Sequence, residues 1–241
     1  MSAKIKEVFE CFCSSLLLIK NFFWILKSMQ HYNSYSQCGE DAVLRHLLSV
    51  LSVDIRCPGF YVDVGAFHPS LYSNTNFLYN VGWKGINIDP NPHSIALFES
   101  ARPRDINLNF GVGNTCGLEK LHMFSDGAVN TFSDAMAQGF KDSGFHYLGS
   151  RLIEMRTLNS ILDQYLPPKQ SIDILDIDCE GLDEEILWSF DIQRFCPKIL
   201  LVEAHGFDFS KPLQHPVFRY MVGQGYKVEA KVGPTLIASH N

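Results

Sequence analysis

FYVDVGAFHP at Phe60–Pro69 and GINIDPNP at Gly85–Pro92 decide how this chain folds. The first is an aromatic and β-branched run, Tyr61, Val62 and Val64, that carries Asp63 and stops at Gly65, as a buried strand stops at a tight turn. The second is a shorter apolar strand, Ile86 to Ile88, closed by Asp89 and by Pro90 and Pro92, which forbid its continuation. In an open α/β sheet, ligands bind outside the carboxyl ends of parallel strands. Two adjacent strands ending in carboxylates therefore indicate a nucleoside pocket, with Asp89 placed to take a pair of ribose hydroxyls.

The turn after the first strand decides between cofactors. A dinucleotide needs backbone approach to its pyrophosphate at a helix N-terminus, hence G-x-G-x-x-G. Here the turn reads Gly65-Ala66-Phe67-His68-Pro69-Ser70, with one glycine, a bulky aromatic and a proline. Asp63 would also repel a pyrophosphate. A cofactor with a cationic amino-acid end and no phosphate suits such a carboxylate, and S-adenosylmethionine fits that description. Asp63, Gly65, Ala66, Asp89 and Pro90 are then its expected contacts. An NAD-dependent oxidoreductase or epimerase is the competing reading, disfavoured by the missing glycines. A non-catalytic binding module on the same fold is the third, because fold does not fix function.

Seven motifs follow one another in the order YSQCGED (Tyr35–Asp41), FYVDVGAFHP, SNT (Ser73–Thr75), GWKGINIDPNP (Gly82–Pro92), DGAVNTFS (Asp126–Ser133), ILDIDCEGLD (Ile174–Asp183) and LLVEAHG (Leu200–Gly206). Together they resemble the FkbM family of S-adenosylmethionine-dependent methyltransferases, from about Tyr35 to Gly206. The chain departs from that pattern at Phe67-His68, where many members carry Asn after Gly-Ala. The resemblance implies a Rossmann-like class I methyltransferase sheet, mostly parallel with one antiparallel strand and with helices on both faces. It also implies O-methylation of a sugar or related hydroxyl, on a glycan or a small molecule. Asn74 is implied as a contact to the amino-acid end of the cofactor.

The chain of 241 residues is long enough for one α/β domain with a well-buried core. A net charge of −6 argues against nucleic acid as a partner, since such proteins present a basic face. The seven cysteines form no C-x-x-C pair and no zinc spacing, which fits a reducing compartment in which free thiols behave as small buried hydrophobes. The location expected is the cytoplasm, and no oligomeric state follows from the sequence.

Residues 1–30 stand apart from the methyltransferase domain expected over 31–241. Phe9, Phe12, Leu16–Ile19 and Phe22–Leu26 are apolar, but Glu10 and Lys20 interrupt them, a poor pattern for a spanning helix or a signal peptide. Four lysines against two glutamates leave this segment at +2, which suits a helix resting on an anionic membrane surface through residues 1–28. Packing on the domain or a partner, and a true anchor, are the alternatives.

From Gln37 onward strands and helices alternate, which means parallel pairing and right-handed crossovers. Leu44, Leu47, Leu48 and Leu51 form one face of a helix. Strands are expected at about 60–64, 85–89 and 106–110, with helices at 74–81 and 92–101. Asn74 with Thr75 is expected to cap the first of these helices. Residues 119–124 and 151–157 read as extended, with a long functional or disordered loop over 125–149. Thr157 is expected to cap a helix ended by Pro167-Pro168. Further strands are expected at 172–177 and 198–202 around a helix at 182–190. After a helix near 213–223, strands at 226–230 and 235–238 form a hairpin about Gly233-Pro234. Gly111-Val112-Gly113 either lets the backbone approach an adenine or forms a simple turn.

Asp176, Asp178, Glu180, Glu203 and His205 fall at the ends of two core strands, on the rim that carries Asp63 and Asp89. Methyl transfer to a hydroxyl needs alignment and a base for the departing proton. In one scheme His205 or Asp178 is that base, with His205 preferred for its unperturbed pKa of ~6.5. In the other, Asp178, Glu180 and Glu203, joined by His205, hold Mg²⁺ or Mn²⁺, which acidifies the acceptor. The base is preferred because no neutral oxygen donor is fixed beside the acids. Asp178 is also counted among the cofactor contacts, with Gly111 and Val112. Asp183 and Glu184 are expected to cap the helix after Gly181. Asp126, Asn130 and Thr131 lie where acceptor recognition is expected.

Overall fold

The computed structural model describes residues 33–179 and 181–240. The expected apolar helix of residues 1–30, Cys11, Cys13 and Glu180 lie outside the described residues. From α1 (Glu40–Val50) the chain passes through β1 (Phe60–Val64), α2 (Asn76–Asn80), β2 (Lys84–Ile88), α3 (Pro92–Ala101) and β3 (Ile106–Leu108). It continues through β4 (Gly111–Gly113), β5 (Gly117–Phe124), α4 (Asp134–Asp142), β6 (Tyr147–Thr157) and α5 (Leu158–Tyr165). Then come β7 (Ile174–Ile177), α6 (Asp183–Ser189), α7 (Ile192–Phe195), β8 (Ile199–Glu203), α8 (Pro216–Gly223), β9 (Lys227–Val232) and β10 (Thr235–Ser239).

The main sheet has seven strands in the order β3-β2-β1-β7-β8-β10-β9. Every neighbouring pair is parallel except those made by β10, which runs against both β8 and β9. The alternating side chains of these strands divide between two apolar layers. Val62, Val64, Ile86, Ile88, Ile177 and Val202 pack on one side with Ile161 and Leu162 of α5, Ile186 of α6 and Met221 of α8. Tyr61, Ile174, Ile199, Leu201 and Ile237 pack on the other with Leu44, Leu47 and Leu48 of α1 and Phe77 of α2. Burial of each such side chain contributes about 1.5–3 kcal/mol, which is why both layers of helices stay docked.

Local chemistry explains most boundaries. The Asn91 side chain accepts from His93 N at 3.0 Å to start α3, with Pro92 at its first position. The Thr157 hydroxyl accepts from Ser160 N at 3.2 Å to start α5, as its sequence predicts. The structure refines the sequence-based expectations at several places. The strand expected over 106–110 ends at Leu108, and Gly111–Gly113 is neither a free turn nor a loop but β4, paired with β6. β4, β6 and β5 form a second, three-stranded sheet. Residues 125–149 are not a loop either. They hold a 3-10 turn at Gly127–Val129 and α4, whose start is capped by the Ser133 side chain, and Phe124, Phe140 and Tyr147 pack edge to face beneath. The helix expected at 182–190 is followed by a separate short one, α7, capped by Asp191. Finally, Cys38, Cys57, Cys116 and Cys196 are exposed and Cys179 half-buried, so these free thiols are not the buried hydrophobes expected.

Candidate active site

At the carboxyl ends of β1, β2 and β7 a solvent-open cleft is lined by Gly65, Asp89, Pro90 and Asp178. Its remaining walls are largely aromatic and apolar: Phe67 and Tyr72, Phe110 and Val112, Leu121 and Phe132, with Cys179 and Leu182. Ile88, Gln37, Gly127, Ala128 and Asn130 complete it, and none of the described lining residues is a lysine, arginine or histidine. The Phe67 and Tyr72 rings are stacked, with centroids 6.2 Å apart.

Gly65 lets the strand ends come together. Its φ is +81°, and a Cβ there would stand 1.7 Å from the carbonyl oxygen of Asp178. Only glycine permits both the left-handed turn and that approach. Asp89, 7% exposed, accepts from Phe67 N at 2.9 Å and from Asn91 N at 2.7 Å. It thereby fixes the turn after β1 and the start of α3 from one carboxylate. Burial pushes its pKa up to about 6, against the lowering effect of the backbone donors.

Asp63 does not line the cleft. It is buried under α2, where its Oδ2 accepts from the Thr75 hydroxyl at 2.5 Å. Burial raises its pKa, opposed by Thr75 and Arg102. Ala66 is buried within the turn, and Gly111 is buried in β4, so neither lines the cleft. Asn74 and Thr75 do not cap α2 with their side chains. Asn74 Nδ2 instead donates to Asp176 Oδ2 at 2.9 Å, and Thr75 is claimed by Asp63. Strand register explains this, because Asn107, Asn87, Asp63 and Asp176 stand side by side on β3, β2, β1 and β7. Arg102, 1% exposed, serves this polar row by donating to Thr75 Oγ1 and Ser73 Oγ, both at 2.8 Å, and to the Pro69 carbonyl. The sequence signal for it is faint, an arginine just past α3 between Ala101 and Pro103.

At the β7 and β8 ends, one oxygen each of Asp178, Asp183 and Glu203 lie within 4.8 Å of one another. Glu203 shares a hydrogen bond with Asp178, and its pKa is raised by burial first and then by Asp183. His205 Nε2 lies 3.1 Å from Glu203 Oε2, and its side chain is 72% exposed. Asp183 does not merely cap α6, since its two oxygens accept from Cys179 N at 2.8 Å and Gly181 N at 3.1 Å and hold the turn after β7. This makes Asp183 the third carboxylate of the cluster, while Glu180 lies outside the described residues.

His68, Asp126 and Thr131 organise loops. His68 Nδ1 accepts from Ser70 N and Leu71 N, and Asp126 accepts from Ala128 N. Thr131 pairs its backbone with His122, at 2.8 and 3.1 Å. His122 in turn reaches Asp134 Oδ1 at 2.7 Å and the Tyr147 hydroxyl at 3.0 Å, and so fixes the segment that covers the cleft. Asn130 lines the cleft and accepts from Phe124 N. The aromatic wall was the least legible part of the site, since aromatic residues from distant segments carry no fixed spacing.

The sequence profile of the methyltransferase FkbM domain matches residues 63–228. No curated protein matches the chain. Among solved structures, a crystal structure of methyltransferase FkbM from Methylobacillus flagellatus KT is similar at 13% identity and a TM-score of 0.44, covering 77% of this chain and 44% of that one. The chain thus spans less than half the length of that structure.

Proposed function

The chain belongs to the FkbM methyltransferase family, and on that premise we propose that it moves a methyl group from S-adenosylmethionine to a hydroxyl oxygen, on a sugar or a related acceptor. The observation that carries this reading is the cleft, with a buried carboxylate at the end of β2, aromatic walls and no cation among its described lining residues. Such a site repels a pyrophosphate and suits a nucleoside joined to a cationic amino-acid end. When bound, S-adenosylmethionine supplies an electrophilic methyl group. Asp89 would hold its ribose, since its two oxygens engage one backbone donor each and the Ser94 side chain, which leaves accepting capacity on the carboxylate. Phe67, Tyr72, Phe110 and Phe132 offer apolar faces to an adenine and exclude water.

The acceptor side is built from this chain's own acids and imidazole. With Nε2–H directed at Glu203, His205 keeps Nδ1 as the proton acceptor for the acceptor hydroxyl. Glu203 orients the ring and stabilises the imidazolium that results. The metal alternative rests on the Asp178, Asp183 and Glu203 cluster, three hard oxygen ligands that suit a divalent ion. Transfer of labelled methyl groups to a cell-derived polysaccharide separates the two. The base predicts activity that survives EDTA and falls ~10²–10⁴-fold in His205→Ala, whereas EDTA sensitivity with rescue by Mn²⁺ favours the metal.

Calorimetry tests the cofactor assignment. The protein is expected to bind S-adenosylhomocysteine and not NAD, and Asp89→Ala to weaken that binding by roughly 1.5–3 kcal/mol, the scale of a hydrogen bond to a charged group. Binding of NAD without binding of S-adenosylhomocysteine would overturn the assignment.

A further inference from the structure

Strand order sets where an acceptor must enter, if the cleft is a methyl-donor site. Asp89 follows β2, and the neighbouring strand ends run β1, β7, β8 in space. A nucleoside held at Asp89 therefore directs its far end across β1 toward Asp178, and the acceptor side is the end of β8. The chain leaving β8 carries an aromatic group that the core does not use. Phe209 is 73% exposed, and its ring stands edge-on to Phe207 with centroids 5.1 Å apart. Phe207 is held from behind by Phe218 at 5.6 Å and His215 at 5.8 Å. His215 Nε2 also donates to the His205 carbonyl at 3.1 Å, which ties this aromatic loop to the segment bearing the imidazole.

The polar groups between cleft and loop are Asp178, Asp183, Glu203 and His205. Their carboxylates accept hydrogen bonds from hydroxyl groups and repel anions. On the loop itself the Asp208 carboxylate is engaged by the backbone and hydroxyl of Ser210. An exposed ring beside hydrogen-bond acceptors matches a sugar, whose C–H face is apolar and whose rim is hydroxylated. Resting on the methyltransferase reading, we infer that Phe209, supported by Phe207, is the platform for the acceptor, and that the acceptor is a neutral, unphosphorylated sugar ring. Its C–H face stacks on Phe209, and one hydroxyl is presented to the Glu203–His205 pair.

Saturation-transfer NMR on the full chain tests this, with methyl glycosides of glucose, galactose, mannose, rhamnose and fucose as probes, and glucuronic acid as the charged counterpart. At least one neutral glycoside is expected to receive saturation at its ring C–H protons. Its affinity falls roughly three- to tenfold in Phe209→Ala, the range of one aromatic contact, and is retained in Phe209→Trp. Phe209 is exposed, so neither variant disturbs the core. Signals are read with and without S-adenosylhomocysteine. Failure of that nucleoside to bind would count against the methyltransferase reading alone. Absence of glycoside signals, signals unchanged in Phe209→Ala, or glucuronic acid bound as well as the neutral sugars would each overturn the platform.

Discussion

Asp89 and Asp176 are both buried carboxylates at strand ends, and burial makes both resist ionisation. Asp89 titrates near 6 in the folded protein because burial disfavours its charge. An acid raised in the folded state takes up a proton on folding, so its contribution to stability is lost as pH rises from about 4 to 6. Ribose binding runs the other way, since the carboxylate is the accepting form. Affinity for S-adenosylhomocysteine is therefore expected to fall roughly tenfold between pH 7 and pH 5, and calorimetry across that range checks it. Asp89→Asn should bind weakly with no such slope. Asp176 has an oxygen, Oδ1, that is buried without a hydrogen-bond partner. Burial, then the neighbouring Asp63, holds its pKa well above the usual range. Its burden on stability is absent below the ordinary carboxylate range and grows as pH rises toward its folded pKa. Asp176→Asn keeps the shape and removes the charge. Thermal melts at pH 7.5 are expected to shift up by a few degrees, on the order of 1 kcal/mol; a lower melting point would show that the carboxylate is needed. Arg102 is the counterpart, since its replacement by Met strands Asp63 without its cation and should cost about 3–5 kcal/mol in denaturant titration.

Elements differ in how openly the sequence declares them. The β1, β2, β7 and β8 runs were legible because a strand buried on both faces is a short continuous apolar string, and each ended in an acid that marks the rim. The cap at Thr157 was equally plain. The second sheet was legible only in part. Residues 119–124 and 151–157 read as extended and lie in β5 and β6, but β5 has its first four residues exposed and β6 buries only Ile153 and Met155, so neither their full length nor their pairing with β4 shows in an apolar period. The covering segment was hidden for a related reason, because what orders it is a side-chain network about His122 rather than a run of apolar residues. Asp63 was legible as a strand-end acid but not as a partner of Thr75, since side-chain direction at a strand end depends on the helix that follows. His122→Leu should therefore leave the main sheet intact. Amide exchange is expected to quicken over 126–134 and to stay unchanged in β1 and β7. Equal quickening throughout would mean that the segment is part of the global fold. Gly65→Ala is expected to act on the turn and on both strand ends it joins, with loss of at least about 2 kcal/mol and of nucleoside binding.

At the scale of the whole molecule, Tyr35–Asn241 forms one compact unit. None of the described helices is long and apolar enough to cross a membrane. Deletion of residues 1–32 is expected to leave the melting temperature and S-adenosylhomocysteine affinity unchanged. The full chain should co-sediment with anionic liposomes more than the truncated one, in a salt-sensitive way; equal recovery in the supernatant would rule out membrane contact. The pairing of β1 with β7 has a further consequence, for how the protein is made. Tyr61 is matched with Ile174, so the central ladder joins segments more than a hundred residues apart in the chain. A nascent chain emerging from the ribosome exposes the inner edge of β1 through the synthesis of everything between them, the entire second sheet included. Pairing so distant in sequence is slow to form. Until β7 arrives, FYVDV is an uncovered apolar edge that invites association between chains. Fragments that stop before Ile174 should aggregate rather than fold, and production in cells should depend on chaperones that hold the early half apart.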